Sequence, residues 1–181
     1  MTRTDTHWPW LNPCKPPPAN SMSDLEKLLH RLTDHGVEFV IVGGYAAVVH
    51  GATIVTIDVD VCCRFTTKNL LKLQSAVADL HPVHRLTPRH LPLELTLRKC
   101  RGLKNLYLAT DFGVLDCLGE VLGIGDYTAV KAQSIEMNFK FGRCLVLSLE
   151  GLIQAKKAMG RPRDIEALKH LNAIQARSRE K

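Results

Sequence analysis

Two aspartates set two residues apart, Asp58 and Asp60, stand inside the run TIVTIDVDVC, residues 53–62. From Ile54 onward the run alternates. Val55, Ile57, Val59 and Val61 fall on one face of a predicted strand, and Thr56, Asp58, Asp60 and Cys62 on the other, because strand side chains repeat every two residues. Cα atoms two apart on a strand lie roughly 6.5–7 Å from each other, so two carboxylates on one face can converge on a hard cation such as Mg²⁺, which prefers oxygen ligands. Asp is a poor strand former, and a strand that carries two is answering some other demand. Just upstream, an apolar strand (Glu38–Val42) leads to Gly43-Gly44 and a short helix (Tyr45–His50). Paired glycines let the backbone approach a ligand with no Cβ in the way. A helix start also offers unpaired N–H groups and a positive dipole end to phosphate. Polyphosphate at Gly43-Gly44 and a metal ion at Asp58 and Asp60 would together make a nucleoside triphosphate site.

The GG–x(13)–DxD arrangement resembles the signature of the polymerase-β-like nucleotidyltransferase superfamily. The fuller pattern GGxAxxxHG…TxDxD, carried by Gly43, Gly44, Ala46, His50, Gly51, Thr56, Asp58 and Asp60, resembles the minimal bacterial nucleotidyltransferases, including the abortive-infection-type and tRNA-modifying toxin branches. The likeness runs from Ser23 to about Leu171. It departs at two positions: Ile54 and Ile57 stand where close relatives often carry a cation.

Farther along, Asp116 is the one acid in Val114-Leu115-Asp116-Cys117-Leu118. A buried carboxylate without a partner is costly, so it needs an arginine, a backbone amide or a metal. In the resemblance it matches the third catalytic carboxylate, on the strand beside the aspartate pair. The stretch LIQAKKAMGRPRDIEAL, residues 152–168, is similar to the helix–turn–helix of small nucleotidyltransferases, in which Lys156, Arg161, Arg163 and Asp164 are the counterparts. Lys156 is the expected phosphate ligand; the solvated face of a helix and an Arg161 or Arg163 pair with Asp164 are the structural alternatives. His50 is expected to pack against or cap the short helix.

The resemblance therefore implies an α/β (α+β) fold, a small mixed sheet with packed helices. It implies Mg²⁺-dependent transfer of a nucleoside monophosphate from an NTP to an acceptor hydroxyl, with release of pyrophosphate. Asp58, Asp60 and Asp116 would be catalytic and would hold two Mg²⁺ ions, with Asp116 also the general base. Gly43, Gly44, Thr56, Lys156 and Arg161 would bind the nucleotide. The toxin-like branch points to RNA, tRNA above all, as acceptor and to a possible antitoxin partner. A protein hydroxyl and a small molecule such as an aminoglycoside stay open. So do a nucleotide-binding module without catalysis and a structural protein whose aspartates are only a polar face.

Composition is compatible with this. The chain has 181 residues, 45% of them apolar, enough for one domain with a real core. Its formal charge of +6 favours anionic partners. The six cysteines, Cys14, Cys62, Cys63, Cys100, Cys117 and Cys144, form no CxxC pair or Cys/His ligand spacing and read as reduced thiols. No apolar run reaches the roughly 20 residues of a membrane span and no signal-peptide core is visible, so the expectation is a cytoplasmic protein without membrane association. Residues 1–21, rich in proline, read as extended or disordered, with Met22 as an alternative start, residues 22–176 as one domain and 177–181 as a charged tail. Between them the patterns predict a helix capped at Ser23 with Leu25, Leu28, Leu29 and Leu32 inside, and a helix from Thr67 to Leu80. They continue with a loop over His81–Pro92, in which His84, Arg85, Arg89 and His90 face solvent or a polyanionic acceptor, and with strands over Leu93–Lys99 and Leu106–Leu118. A helix near Tyr127–Ala132, strands Ser134–Phe139 and Arg143–Leu147, a helix Leu149–Met159 broken at Gly160, and a last helix after Pro162 complete the chain. The glycines of Gly119–Gly125 only weakly suggest a dinucleotide fingerprint.

Overall fold

The computed structural model describes residues 23–179; the proline-rich segment, Met22 and the last two residues lie outside them. The described elements are α1 (Asp24–Asp34), β1 (Phe39–Val42), α2 (Gly43–Val49), β2 (Asp58–Cys63), α3 (Thr67–Val77), β3 (Val83–His84), β4 (Asn105–Thr110) and β5 (Gly113–Leu118). They continue with β6 (Glu120–Val121), β7 (Gly125–Asp126), α4 (Tyr127–Ala132), β8 (Ser134–Phe139), β9 (Gly142–Leu147), α5 (Leu149–Met159) and α6 (Pro162–Arg179). Seven strands form one mixed sheet in the order β3-β4-β5-β2-β1-β9-β8, and β6 and β7 form a separate two-stranded ribbon. The mixed α/β architecture expected from the sequence is the one observed.

The sheet's centre follows from composition. β1 is FVIV, buried at all four positions, as a central strand covered on both faces must be. It pairs antiparallel with β2 and parallel with β9. β2 in turn runs parallel to β5, and β4 folds back on β5 through a hairpin. In that turn Thr110 Oγ1 donates to the Gly113 carbonyl, 2.9 Å away. The helices start where the sequence places caps. Ser23 and Glu26 form a reciprocal capping box on α1, and Thr66, Asp126 and Ser148 cap α3, α4 and α5. Gly160, in the left-handed region at φ 62°, ends α5. Leu28, Leu29 and Leu32 of α1 are fully buried in the same core as Val59, Val61, Leu70, Leu73, Leu115 and Val146. Cys62, Cys63, Cys100, Cys117 and Cys144 are free and buried, as small apolar residues. No described helix is long and apolar enough to cross a membrane.

Three expectations need correction. The aspartate strand begins only at Asp58. Val55 and Ile57, expected on the inner face with Val59 and Val61, are 94% and 77% exposed, because residues 52–57 run outside the sheet and the period of two has no buried face to act on. The short helix expected from Tyr45 already begins at Gly43, so the glycine pair is its first turn. Leu93–Lys99 is not a strand: Leu93 and Leu95 are buried but Leu97 is exposed. The Leu93 and Leu95 amides donate to the Pro82 carbonyl and the Gln74 side chain rather than to a neighbouring strand.

One buried polar side chain ties a helix to the sheet. Asn69 on α3 is 2% exposed; its amide donates to the Glu38 and Arg64 carbonyls at 3.0 and 2.9 Å and accepts from the Glu38 N–H at 2.7 Å. It thereby ties the chain entering β1 to the chain leaving β2, where the Arg64 N–H also donates to the Glu38 carbonyl at 3.1 Å. We expect Asn69→Ala to lower unfolding stability by about 2–3 kcal/mol, read as a lower urea midpoint with an unchanged slope.

Candidate active site

β2 presents Asp58 and Asp60 on one side of the sheet, and the parallel pairing of β2 with β5 sets Asp116 directly beside Asp60. Neighbouring strands lie about 4.8 Å apart, so three carboxylates share a patch two strands wide. Their crowding shows in Asp60. Burial first, and then the charges of Asp58 and Asp116, raise its pKa to about 6, against the opposing pull of the Gly44 N–H and the Lys156 charge. Asp58 is held by Thr56, whose hydroxyl donates to the Asp58 carboxylate at 2.8 Å and contacts its carbonyl oxygen at 3.1 Å.

The glycine pair closes over these acids. A Cβ on Gly43 would stand 2.0 Å from Asp60 Oδ2, and one on Gly44 would stand 2.9 Å from Thr56 Oγ1. Gly43 also has φ +65°, which side chains rarely adopt. The glycines were read as room for phosphate. In the structure they are first the room in which a helix start meets a carboxylate, and the Gly44 N–H is directed at Asp60.

Asp116, only 7% exposed, has the arginine partner that its burial demanded. Arg85 reaches it with both arms of the guanidinium, Nε to Oδ1 at 3.0 Å and Nη2 to Oδ2 at 2.5 Å. Arg85 follows β3 directly, its own N–H donates to the Tyr107 carbonyl at 3.0 Å, and its guanidinium stands 5.5 Å from the Tyr107 ring. Tyr107 is the β4 residue opposite Asp116. The sequence had left Arg85 among loop cations facing solvent or an acceptor. What it could show was only that Asp116 needed a partner, an arginine, a backbone amide or a metal; the pairing of β3 with β4 brings up Arg85.

The turn between α5 and α6 supplies a second charged cluster. Asp164 is fully buried, accepting from Lys156 Nζ at 2.9 Å, from Arg161 Nε at 2.6 Å and from the Arg161 N–H at 3.3 Å. Lys156 is thus neither a wet helix face nor a free cation: its side chain is 13% exposed. Arg163 faces solvent. The charges of both Lys156 and Arg161 are felt at Asp60, so the turn stands within electrostatic reach of the acids. His50 caps α2 and its Nε2 is 2.8 Å from the Leu147 carbonyl oxygen, a packing role. Gly119–Gly125 spans the two-stranded β6–β7 ribbon, in which Val121 pairs with Gly125, rather than a strand-to-helix turn of the dinucleotide kind.

Among the described residues no three His, Cys, Asp or Glu side chains gather into a ready cage for a metal ion. Asp58 and Asp60 alone still fit one. They are two hard oxygen donors on one face of the sheet, with no glycine Cβ crowding them from α2.

Two outcomes follow. Gly43→Ala should displace Asp60 and strain α2, lowering stability by about 1–3 kcal/mol in urea unfolding. For Asp164, burial alone would raise the pKa, but the hydrogen bonds and charges of Arg161 and Lys156 outweigh it and hold the carboxyl at about 2, below its ordinary 3.8. Its stabilisation is therefore complete above about pH 4 and lost as the pH falls through about 2, where the folded-state carboxylate takes up its proton. The wild type should lose about 2 kcal/mol more than Asp164→Asn across that window, measured by urea unfolding at each pH.

No known family's sequence profile and no curated protein sequence matches the chain. Solved structures do. A lincosamide antibiotic adenylyltransferase, LnuA in its lincomycin-bound form, aligns with TM-score 0.56 and 15% identity over 83% of this chain and 96% of its own. ANT(2″)-Ia in complex with adenylyl-2″-tobramycin aligns with TM-score 0.52 and 15% identity over 86% of this chain and 96% of its own. A solution structure of the antibiotic-resistance factor ANT(2″)-Ia aligns with TM-score 0.52 and 14% identity over 87% and 90%. The chain has the nucleotidyltransferase fold, the one its resemblance to the polymerase-β-like superfamily implies.

Proposed function

We propose that this chain is an Mg²⁺-dependent nucleotidyltransferase that moves a nucleoside monophosphate from an NTP to a hydroxyl of a small acceptor molecule. The observation that carries the reading is the register that sets Asp116 beside Asp60, with Asp58 on the same face and a glycine helix start against Asp60. Mg²⁺, held by Asp58 and Asp60, would supply Lewis-acid stabilisation of the charge on the reacting phosphate. Thr56 fixes the Asp58 carboxylate, and Gly43 and Gly44 keep that corner free of side chains. Lys156 and Arg161 retain donors beyond those given to Asp164 and would bind phosphate oxygens of the NTP. Asp116, oriented by Arg85, keeps lone pairs to accept the acceptor's proton as its oxygen attacks the α-phosphorus and pyrophosphate departs.

A small acceptor is favoured over RNA by what surrounds the acids. Arg85 is committed to Asp116, Lys156 and Arg161 are assigned in this reading to the NTP, and the segment entering the site exposes Val55 and Ile57 where a polyanionic acceptor would need cations. The solved neighbours named for lincosamide and tobramycin chemistry support the same choice.

The test is a transfer assay with Mg²⁺ and each of four α-³²P-labelled NTPs, offered lincosamides, aminoglycosides, total bacterial RNA, bulk protein or the chain itself. Label should pass to a small molecule and fall at least roughly 100-fold in the Asp58→Asn/Asp60→Asn variant. Label in RNA or protein would move the acceptor to the tRNA-modifying or protein-modifying reading and reopen the question of an antitoxin. NTP binding without transfer to any acceptor would instead identify a nucleotide-binding module.

A further inference from the structure

We propose that Arg85 is the site's own resident cation, taking the place of a second metal ion at Asp116, so that the acids load one divalent ion on Asp58 and Asp60. This rests on the nucleotidyltransferase reading above and sharpens it. Two-metal sites hold their ions roughly 3.5–4 Å apart and need a carboxylate set shared between them. Here the third carboxylate is already spanned. Both Asp116 oxygens accept from Arg85, Oδ1 at 3.0 Å and Oδ2 at 2.5 Å, in the parallel fork geometry that suits guanidinium to carboxylate. No three described acids gather as a metal cage, although three stand within two strands of one another.

Arg85 is also built to stay. Its backbone N–H is tied to the Tyr107 carbonyl, its guanidinium stands over the Tyr107 ring, and Tyr107 is fixed opposite Asp116 by the β4–β5 ladder. Withdrawing the arginine would leave a carboxylate whose side chain is 9% exposed without a partner, the expensive way to break a buried pair. With Arg85 in place, the three carboxylates carry two uncompensated charges, which one divalent ion balances.

The experiment uses Mn²⁺ as the probe, titrated into the full chain with an equimolar α,β-methylene NTP analogue and followed by electron paramagnetic resonance. The wild type should bind one Mn²⁺ per chain with the spectrum of an isolated ion. Arg85→Met should bind two, with the exchange-coupled spectrum of a close pair. Asp116→Asn, which needs no change at Arg85, should leave the single ion in place. Circular dichroism melts establish that each variant is folded, and the Asp116→Asn result decides the matter if Arg85→Met is not. A coupled pair in the wild type, one ion only in folded Arg85→Met, or loss of the ion in Asp116→Asn would each overturn the proposal. No Mn²⁺ bound to the wild type at all would instead remove the metal-dependent reading of the whole site.

Discussion

Like-charge crowding at the β2–β5 junction is the constraint on which the rest of the site depends. Parallel pairing places Asp116 against Asp60, two residues from Asp58, inside a sheet whose opposite face is filled by Val59 and Val61. Such a group of acids is unstable alone, and each neighbouring feature reduces its cost. Thr56 donates to Asp58, the start of α2 donates to Asp60, and Arg85 takes both oxygens of Asp116. Asp60 stays the most strained of the three: burial, and then the charges of Asp58 and Asp116, raise its pKa to about 6.

The α5–α6 turn reverses that arrangement. One buried acid, Asp164, holds two cations, Lys156 and Arg161, and so fixes long side chains that would otherwise be free to roam. Fixed cations near a carboxylate group suit a substrate carrying both a metal and phosphates. Glycine matters for a steric reason in the same place: Gly43 permits a helix to begin where any Cβ would collide with Asp60.

Fold and site do not choose the acceptor by themselves, since one fold hosts many chemistries. The charge distribution is more informative than the net charge. A formal excess of +6 reads as an invitation to nucleic acid, yet the arginines and lysine closest to the acids are internally paired and the entering segment is apolar. Net charge is a property of the whole surface, whereas recognition depends on which cations are left with free donors.

Much was legible in the sequence because it was local. The spacing of Asp58 and Asp60, the glycine pair, the Ser23–Glu26 capping box, the caps at Ser148 and Gly160 and the hairpin strands around Phe141 each depend on residues a few positions apart. The period of two misled at Val55, Ile57 and Leu97, where alternation persists without a sheet to bury it. Partner selection across distance was not legible. That Asp116 needed a partner followed from its apolar neighbours, but Arg85 is 31 residues away and no spacing rule distinguishes it from Arg89 or from a backbone amide. The sequence by itself determined which residue types stand ready for chemistry and which elements carry them, since propensity, capping and periodicity act between near neighbours. Only the tertiary structure decided which charges meet, because strand order and register bring together groups that the chain keeps far apart.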